Sequence, residues 1–125
     1  MMPRILLVDD QEELRLLLQA TLEDSEYEML EAQDGLAALA VARAEKPSLV
    51  VMDWMMPGMS GVDVVRALKA DPETSSIPVI LLTARSQAED RKVGLAAGAN
   101  AFLSKPFSPL ELIRQVEILL GTPQG

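Results

Sequence analysis

Residues 4–23 read RILLVDDQEELRLLLQATLE, and their character changes sharply within that span. Ile5 to Val8 are apolar without a break, Asp9 and Asp10 are adjacent acids, and Leu14, Leu17, Leu18 and Leu22 then recur at helix spacing. A short unbroken apolar run reads as a strand covered on both faces, the habit of parallel sheets. A helix following at once makes it a βα unit. The two acids stand at the junction, where like charges repel. Asp10 with Glu13 has the D-x-x-E spacing of a helix cap, and that ordinary reading stands beside a functional one.

The pattern recurs along the whole chain. Strands are predicted over Arg4–Asp9, Tyr27–Ala32, Ser48–Asp53, Pro78–Thr83 and Asn100–Lys105. The second alternates more than the first, third and fourth, as an edge strand does. Helices are predicted over Glu12–Glu23, Leu36–Lys46, Val62–Ala70, Gln87–Ala97 and Ser108–Leu120. The second should stop at Pro47. The fourth is the weakest, with Gly94 inside it at a cost of about 1 kcal/mol relative to Ala. The fifth opens with Ser108 as N-cap, Pro109 in the first turn and Glu111 at the capping-box position, and Gly121 ends it. Five alternating units predict a flavodoxin-like (βα)5 fold: a doubly wound parallel sheet of strand order 2-1-3-4-5. One domain is expected over residues 1–121, with 122–125 as a tail or truncated linker.

Composition narrows the chemistry. Hydrophobic residues make up 49% of the 125, enough for one core, but aromatics only 3%, so aliphatic side chains must fill it. The chain has no cysteine, which excludes disulfides and thiolate chemistry, and no histidine, so any imidazole must come from another molecule. A net charge of −8 without a basic run argues against nucleic-acid binding by this chain. No apolar run nears the roughly 20 residues of a membrane span, and no secretory signal pattern is seen. A cytoplasmic location is expected.

In open parallel sheets ligands bind beyond the carboxyl ends of the strands, at the point where strand order reverses. For order 2-1-3-4-5 that point lies between strands 1 and 3. Strand 1 ends in Asp9 and Asp10, strand 3 in Asp53, strand 4 in Thr83 and strand 5 in Lys105. Three nearby carboxylates raise at least one pKa, and a hard cation relieves the conflict. Mg2+ takes oxygen ligands and typically one or two carboxylates with a phosphate oxygen. A carboxylate beside it can be a nucleophile that forms an aspartyl phosphate. Lys105, two strands or about 10 Å from Asp53, can extend its ammonium to a phosphoryl oxygen, and Thr83 can donate to another.

The segments LLVDD, VVMDWMMPGMSG, ILLTA and FLSKPF, in that order and spacing, resemble the receiver domains of two-component response regulators over essentially the whole chain. The resemblance implies a phosphorylation-activated switch, not an enzyme. Asp53 would accept a phosphoryl group from a histidine kinase, a phosphotransfer protein or a small acyl phosphate. Asp9, Asp10, Asp53 and the backbone carbonyl of Met55 would hold Mg2+, and Lys105 would contact the phosphoryl group. Thr83 would be the switch hydroxyl and Phe102 the aromatic that reports its state. A cis bond would join Lys105 to Pro106. Met55 and Arg85 would tune access at the site entrance. Motion is expected in the fourth helix and its loop, and an output partner or domain would read the helix 4, strand 5 and helix 5 surface, where Ile118 lies off the apolar stripe of the last helix. A phosphorylation-dependent homodimer is compatible with the family. Asn100 and Ala101 depart from the acidic pair usual in the winged-helix branch. The alternatives are a Mg2+-dependent phosphohydrolase with an aspartyl nucleophile, a receiver-like binding module without phosphate turnover, and a flavin-binding module.

Overall fold

The structure is a computed structural model that describes residues 2–23, 27–84 and 88–121, with the backbone alone at Ala88. Its elements alternate strictly: β1 (Arg4–Val8), α1 (Glu12–Leu22), β2 (Glu28–Ala32), α2 (Gly35–Glu45), β3 (Leu49–Asp53), α3 (Gly61–Ala70), β4 (Val79–Thr83), α4 (Ala88–Ala97), β5 (Ala101–Ser104) and α5 (Pro109–Leu120). The five strands are all parallel, in the order β2-β1-β3-β4-β5. The flavodoxin-like order read from the sequence is therefore the observed one, and the alternating second strand is an edge.

Successive strand residues point to opposite faces, which divides the core in two. Ile5, Leu7, Leu49, Val51, Ile80 and Leu82 pack with Leu18 and Leu22 of α1 and Leu112 and Val116 of α5. Leu6, Val8, Val50, Met52, Val79, Leu81 and Phe102 pack against α2, α3 and Ala97 of α4. The unbroken apolar runs of β1, β3 and β4 follow directly, because both their faces are covered.

Helix ends follow local chemistry. Ser108 accepts the Glu111 amide, Pro109 opens α5, and Gly121 closes it in the left-handed region at φ 63°. Asp34 caps α2 by accepting the Ala37 amide at 2.8 Å. Lys46 leaves α2 at φ 47°, one residue earlier than predicted, because right-handed backbone before Pro47 would clash with the proline ring. The expected cap of α1 is corrected: its N-cap is Gln11, and Asp10 makes no cap bond. Residue 87, where the fourth helix was expected to begin, lies outside the described residues.

Candidate functional site

The register Val8–Met52, Asp53–Leu82 and Thr83–Ser104 brings the carboxyl ends of four strands to one rim. Asp53 is the last residue of β3 and Asp9 the first beyond β1; both are buried, whereas Asp10 is exposed. One carboxylate oxygen from each of the three lies within 4.8 Å of the other two. Asp9 is held firmly. Its amide donates to Ala32 O, its Oδ1 accepts the Gln11 amide at 2.9 Å, and its Oδ2 is 3.5 Å from Lys105 Nζ. Asp9, rather than the predicted Asp10, thus bonds the amide at the entrance of α1. Asp10 keeps its carboxylate for the cluster.

Lys105 reaches the rim from the far side. Its amide donates to Thr83 O at 2.8 Å, its peptide bond to Pro106 is cis, and its Nζ lies 3.2 Å from Asp53 Oδ1. The stem thus spans the two-strand gap estimated from sheet spacing. The Asp53 carboxyl titrates above the ordinary carboxylate range. Burial is the main cause, Lys105 opposes it through its charge and hydrogen bond, and the like charge of Asp9 adds to it. Like-charge repulsion from Asp9 raises the pKa as expected, but desolvation outweighs it.

The loop after β3 is folded tightly onto the strand end. Trp54 O accepts the Gly61 amide at 2.8 Å, and Asp53 Oδ1 accepts the Met55 amide at 3.4 Å. Met55 itself is exposed at 56%. A side chain at Gly61 would put its Cβ 2.5 Å from the Asp53 carbonyl oxygen, so only glycine lets α3 start this close to the acid. Ser60 and Asp63 form a reciprocal capping box that fixes the same end. Its S-x-x-D signal, Ser60 to Asp63, was present in the sequence and was missed.

Thr83 belongs to the other side of the sheet. By strand alternation Asp9, Asp53 and Lys105 continue the positions of Ile5, Val51 and Leu103 on the α1 and α5 face. Thr83 continues Val79 and Leu81 on the face that buries Phe102. The Phe102 ring stands edge-on to Trp54, with centroids 5.9 Å apart, and the Arg91 guanidinium lies 5.3 Å over it. Gly94 faces the same ring from α4. Arg85 lies outside the described residues.

One contributor escaped the sequence reading. Arg15 of α1 donates from Nη1 to the Asp9 carbonyl at 2.6 Å and from Nε to Glu31 of β2 at 2.9 Å. No motif marks it, because both partners are brought to it by the fold.

An all-oxygen set of three converging carboxylates fits a hard divalent cation. The buried nucleophile candidate, the ammonium beside it and the hydroxyl one strand away match the needs of phosphoryl transfer, which are mostly positioning and charge neutralisation. Among the described residues no helix is long and apolar enough to cross a membrane.

The family model described as the response regulator receiver domain matches residues 5–117. The phosphate regulon transcriptional regulatory protein PhoB of Pseudomonas aeruginosa is 42% identical over 116 residues, which cover 93% of this chain and 51% of the relative. This chain spans about half the length of the PhoB relatives that it matches. A putative response regulator from Chloroflexus aurantiacus superposes with a TM-score of 0.91 at 30% identity, covering 97% of this chain and 99% of that one. The receiver domain of a sensor histidine kinase from Pseudomonas aeruginosa, solved with a magnesium ion coordinated in its active-site cleft, superposes at 0.87 with 30% identity over 98% of this chain and all of the other (100%).

Proposed function

This chain belongs to the response regulator receiver domain family, and from that premise we propose that Asp53 is its phosphoacceptor, with Asp9, Asp10 and the Met55 carbonyl completing a Mg2+ site around it. One observation carries the reading. The Lys105 ammonium lies 3.2 Å from the carboxylate of Asp53, inside a cluster of three acids spaced to hold a cation. When bound, Mg2+ neutralises the carboxylates and the phosphoryl oxygens. The residues do the rest. An Asp53 oxygen attacks phosphorus as the bond to the donor nitrogen breaks, and Lys105 holds a phosphoryl oxygen with a charge-assisted hydrogen bond.

The donor in this reading is a histidine kinase or a phosphotransfer protein, and the absence of histidine from this chain agrees with an acceptor role. An apolar groove lined by Leu14, Leu17, Pro106 and Phe107 runs beside Lys105 and offers a landing surface next to the rim. After transfer Thr83 moves toward the new oxygens and Phe102 turns further inward behind it. A swing of the equilibrium from 1:99 to 99:1 needs about 5.5 kcal/mol of differential stabilisation. The surface of α4, β5 and α5 then changes for an output partner, an output domain or a second copy of the chain. Exposed Ile118 belongs to α5 on that surface. Met55 and Arg85 tune water access to the aspartyl phosphate. The reading places the switch in the cytoplasm, with residues 1–121 as its receiver unit.

The test follows Trp54, the only tryptophan and the neighbour of Asp53. Mg2+ and then acetyl phosphate or beryllium fluoride should each change its emission, and acetyl phosphate should add the mass of one phosphoryl group. Asp53→Asn should lose the second response and the added mass. No covalent product in the wild-type chain would sink the proposal. Fast multiple turnover of a small phosphate ester would favour the phosphohydrolase.

A further inference from the structure

We infer that Arg15 is a positioning residue for the Mg2+ site: it holds the peptide that joins Asp9 to Asp10, and so sets where the exposed Asp10 carboxylate points. The inference rests on the reading of the acid cluster given above.

The ladder of β1 ends at Val8, which pairs with Ala32 on one side and Met52 on the other. The Asp9 amide still donates to Ala32 O at 3.2 Å, but its carbonyl lies beyond the last paired residue. Arg15 Nη1 takes up that carbonyl at 2.6 Å. A peptide unit is planar, so fixing the Asp9 carbonyl fixes the plane that carries the Asp10 nitrogen and Cα. The Asp9 carboxylate is steadied independently, by the Gln11 amide and Lys105. Arg15 therefore acts on the second acid of the pair by way of the first acid's backbone.

The guanidinium is itself held in place. Its Nε donates to Glu31 Oε1 at 2.9 Å, and Gln19 holds Glu31 Oε2 at 2.7 Å. The Arg15 side chain is 13% exposed, so it is a packed fork rather than a waving surface cation. Glu31 also balances its charge, so that Arg15 can stand behind a cation site at little electrostatic cost to the metal.

Electrostatics and geometry predict opposite signs, which makes the inference testable. Deleting a positive charge near three carboxylates should tighten cation binding if charge is all that matters. If Arg15 aims Asp10, its loss should weaken binding. Outer partners of metal ligands commonly change affinity by about tenfold or more. Mg2+ demands near-ideal octahedral geometry, whereas Ca2+ tolerates irregular sites, so misalignment should penalise Mg2+ more.

The experiment measures Mg2+ and Ca2+ dissociation constants of the unphosphorylated chain by Trp54 emission and calorimetry, for wild type, Arg15→Gln, Arg15→Lys and Asp10→Asn. Thermal unfolding in chelator reports folding separately. Arg15→Lys keeps the charge and loses the fork, and it serves if Arg15→Gln folds poorly. The expected result is about a tenfold loss of Mg2+ affinity in Arg15→Gln, a smaller loss in Arg15→Lys, and in both a lesser loss for Ca2+. Unchanged or tighter Mg2+ binding, or equal losses for the two ions, overturns the inference. A wild-type chain that binds no Mg2+, or binds it equally well as Asp10→Asn, overturns the site reading itself and this inference with it. Normal Asp10-dependent binding that ignores Arg15 overturns the inference alone.

Discussion

Lys105 Nζ and Asp53 Oδ1 lie 3.2 Å apart, joined across two strands of sheet. Burial pushes the Asp53 carboxyl up and Lys105 pulls it partly back. Replacing Lys105 by Met should therefore raise the Asp53 pKa further, visible in the pH titration of its carboxyl carbon by NMR. The effect on stability has a definite sign. A carboxyl whose native pKa is raised favours folding below the ordinary value of 3.8, and that contribution is lost as pH rises through the native pKa. In metal-free protein Asp53→Asn should unfold at a higher temperature than wild type near neutral pH. The gain should fade on acidification below the ordinary carboxylate value. Calorimetry across that pH range checks both halves.

Mg2+ should stabilise the fold by mass action, by about 2.7 kcal/mol at a hundredfold excess over its dissociation constant. Asp10→Ala should remove that response. Because Asp10 is exposed and makes no cap bond to α1, its loss should cost the metal-free protein little. Urea unfolding with and without Mg2+ measures both effects.

Gly61→Ala should damage the site from behind. The added Cβ would fall 2.5 Å from the Asp53 carbonyl oxygen and 2.9 Å from Trp54 Cα, and backbone must shift to admit it. Overpacking of this kind costs about 1–3 kcal/mol. The shift falls on the residue that bears the nucleophile, so phosphorylation by acetyl phosphate should slow as well. A variant with wild-type stability and wild-type rate would refute this account.

Gly94→Ala tests why the weakest helix keeps a glycine. Helix propensity alone promises about 1 kcal/mol of stabilisation. The new Cβ would sit 3.3 Å from both Leu81 Cδ1 and Phe102 Cδ2, closer than comfortable contact. The gain should fail to appear, and the displaced Phe102 ring should alter Trp54 emission, since the two rings meet edge-on. A melting point raised by the full propensity difference would show that the ring moves freely.

What could be read in the sequence was whatever a strand or helix writes along itself. The apolar runs of β1, β3 and β4 announce burial on both faces, and the strand-end acids follow from where those runs stop. The stripe of α5 placed Leu112 and Val116 in the core and left Ile118 out, as observed. Contacts between elements were out of reach. Arg15 meets Glu31 only because β2 lies beside β1, sixteen residues on. The third helix was expected to begin at Val62, and only the fold shows why the residue before it is glycine, since a Cβ at Gly61 would meet the Asp53 carbonyl oxygen at 2.5 Å. Asp10 misled because cap spacing is a local signal, and here Asp9 reached the helix entrance first, through the Gln11 amide.

The alternation of side chains along the strands also puts the acceptor and the aromatic ring on opposite faces of the sheet. Asp53 and Lys105 belong to the side of the sheet that carries α1, whereas Phe102 belongs to the side that carries α4. Under the proposed switch, the acceptor is approached over α1 while Phe102 turns beneath α4, and α5, which flanks the entry groove at Pro109 and carries Ile118, is the element that the two approaches share.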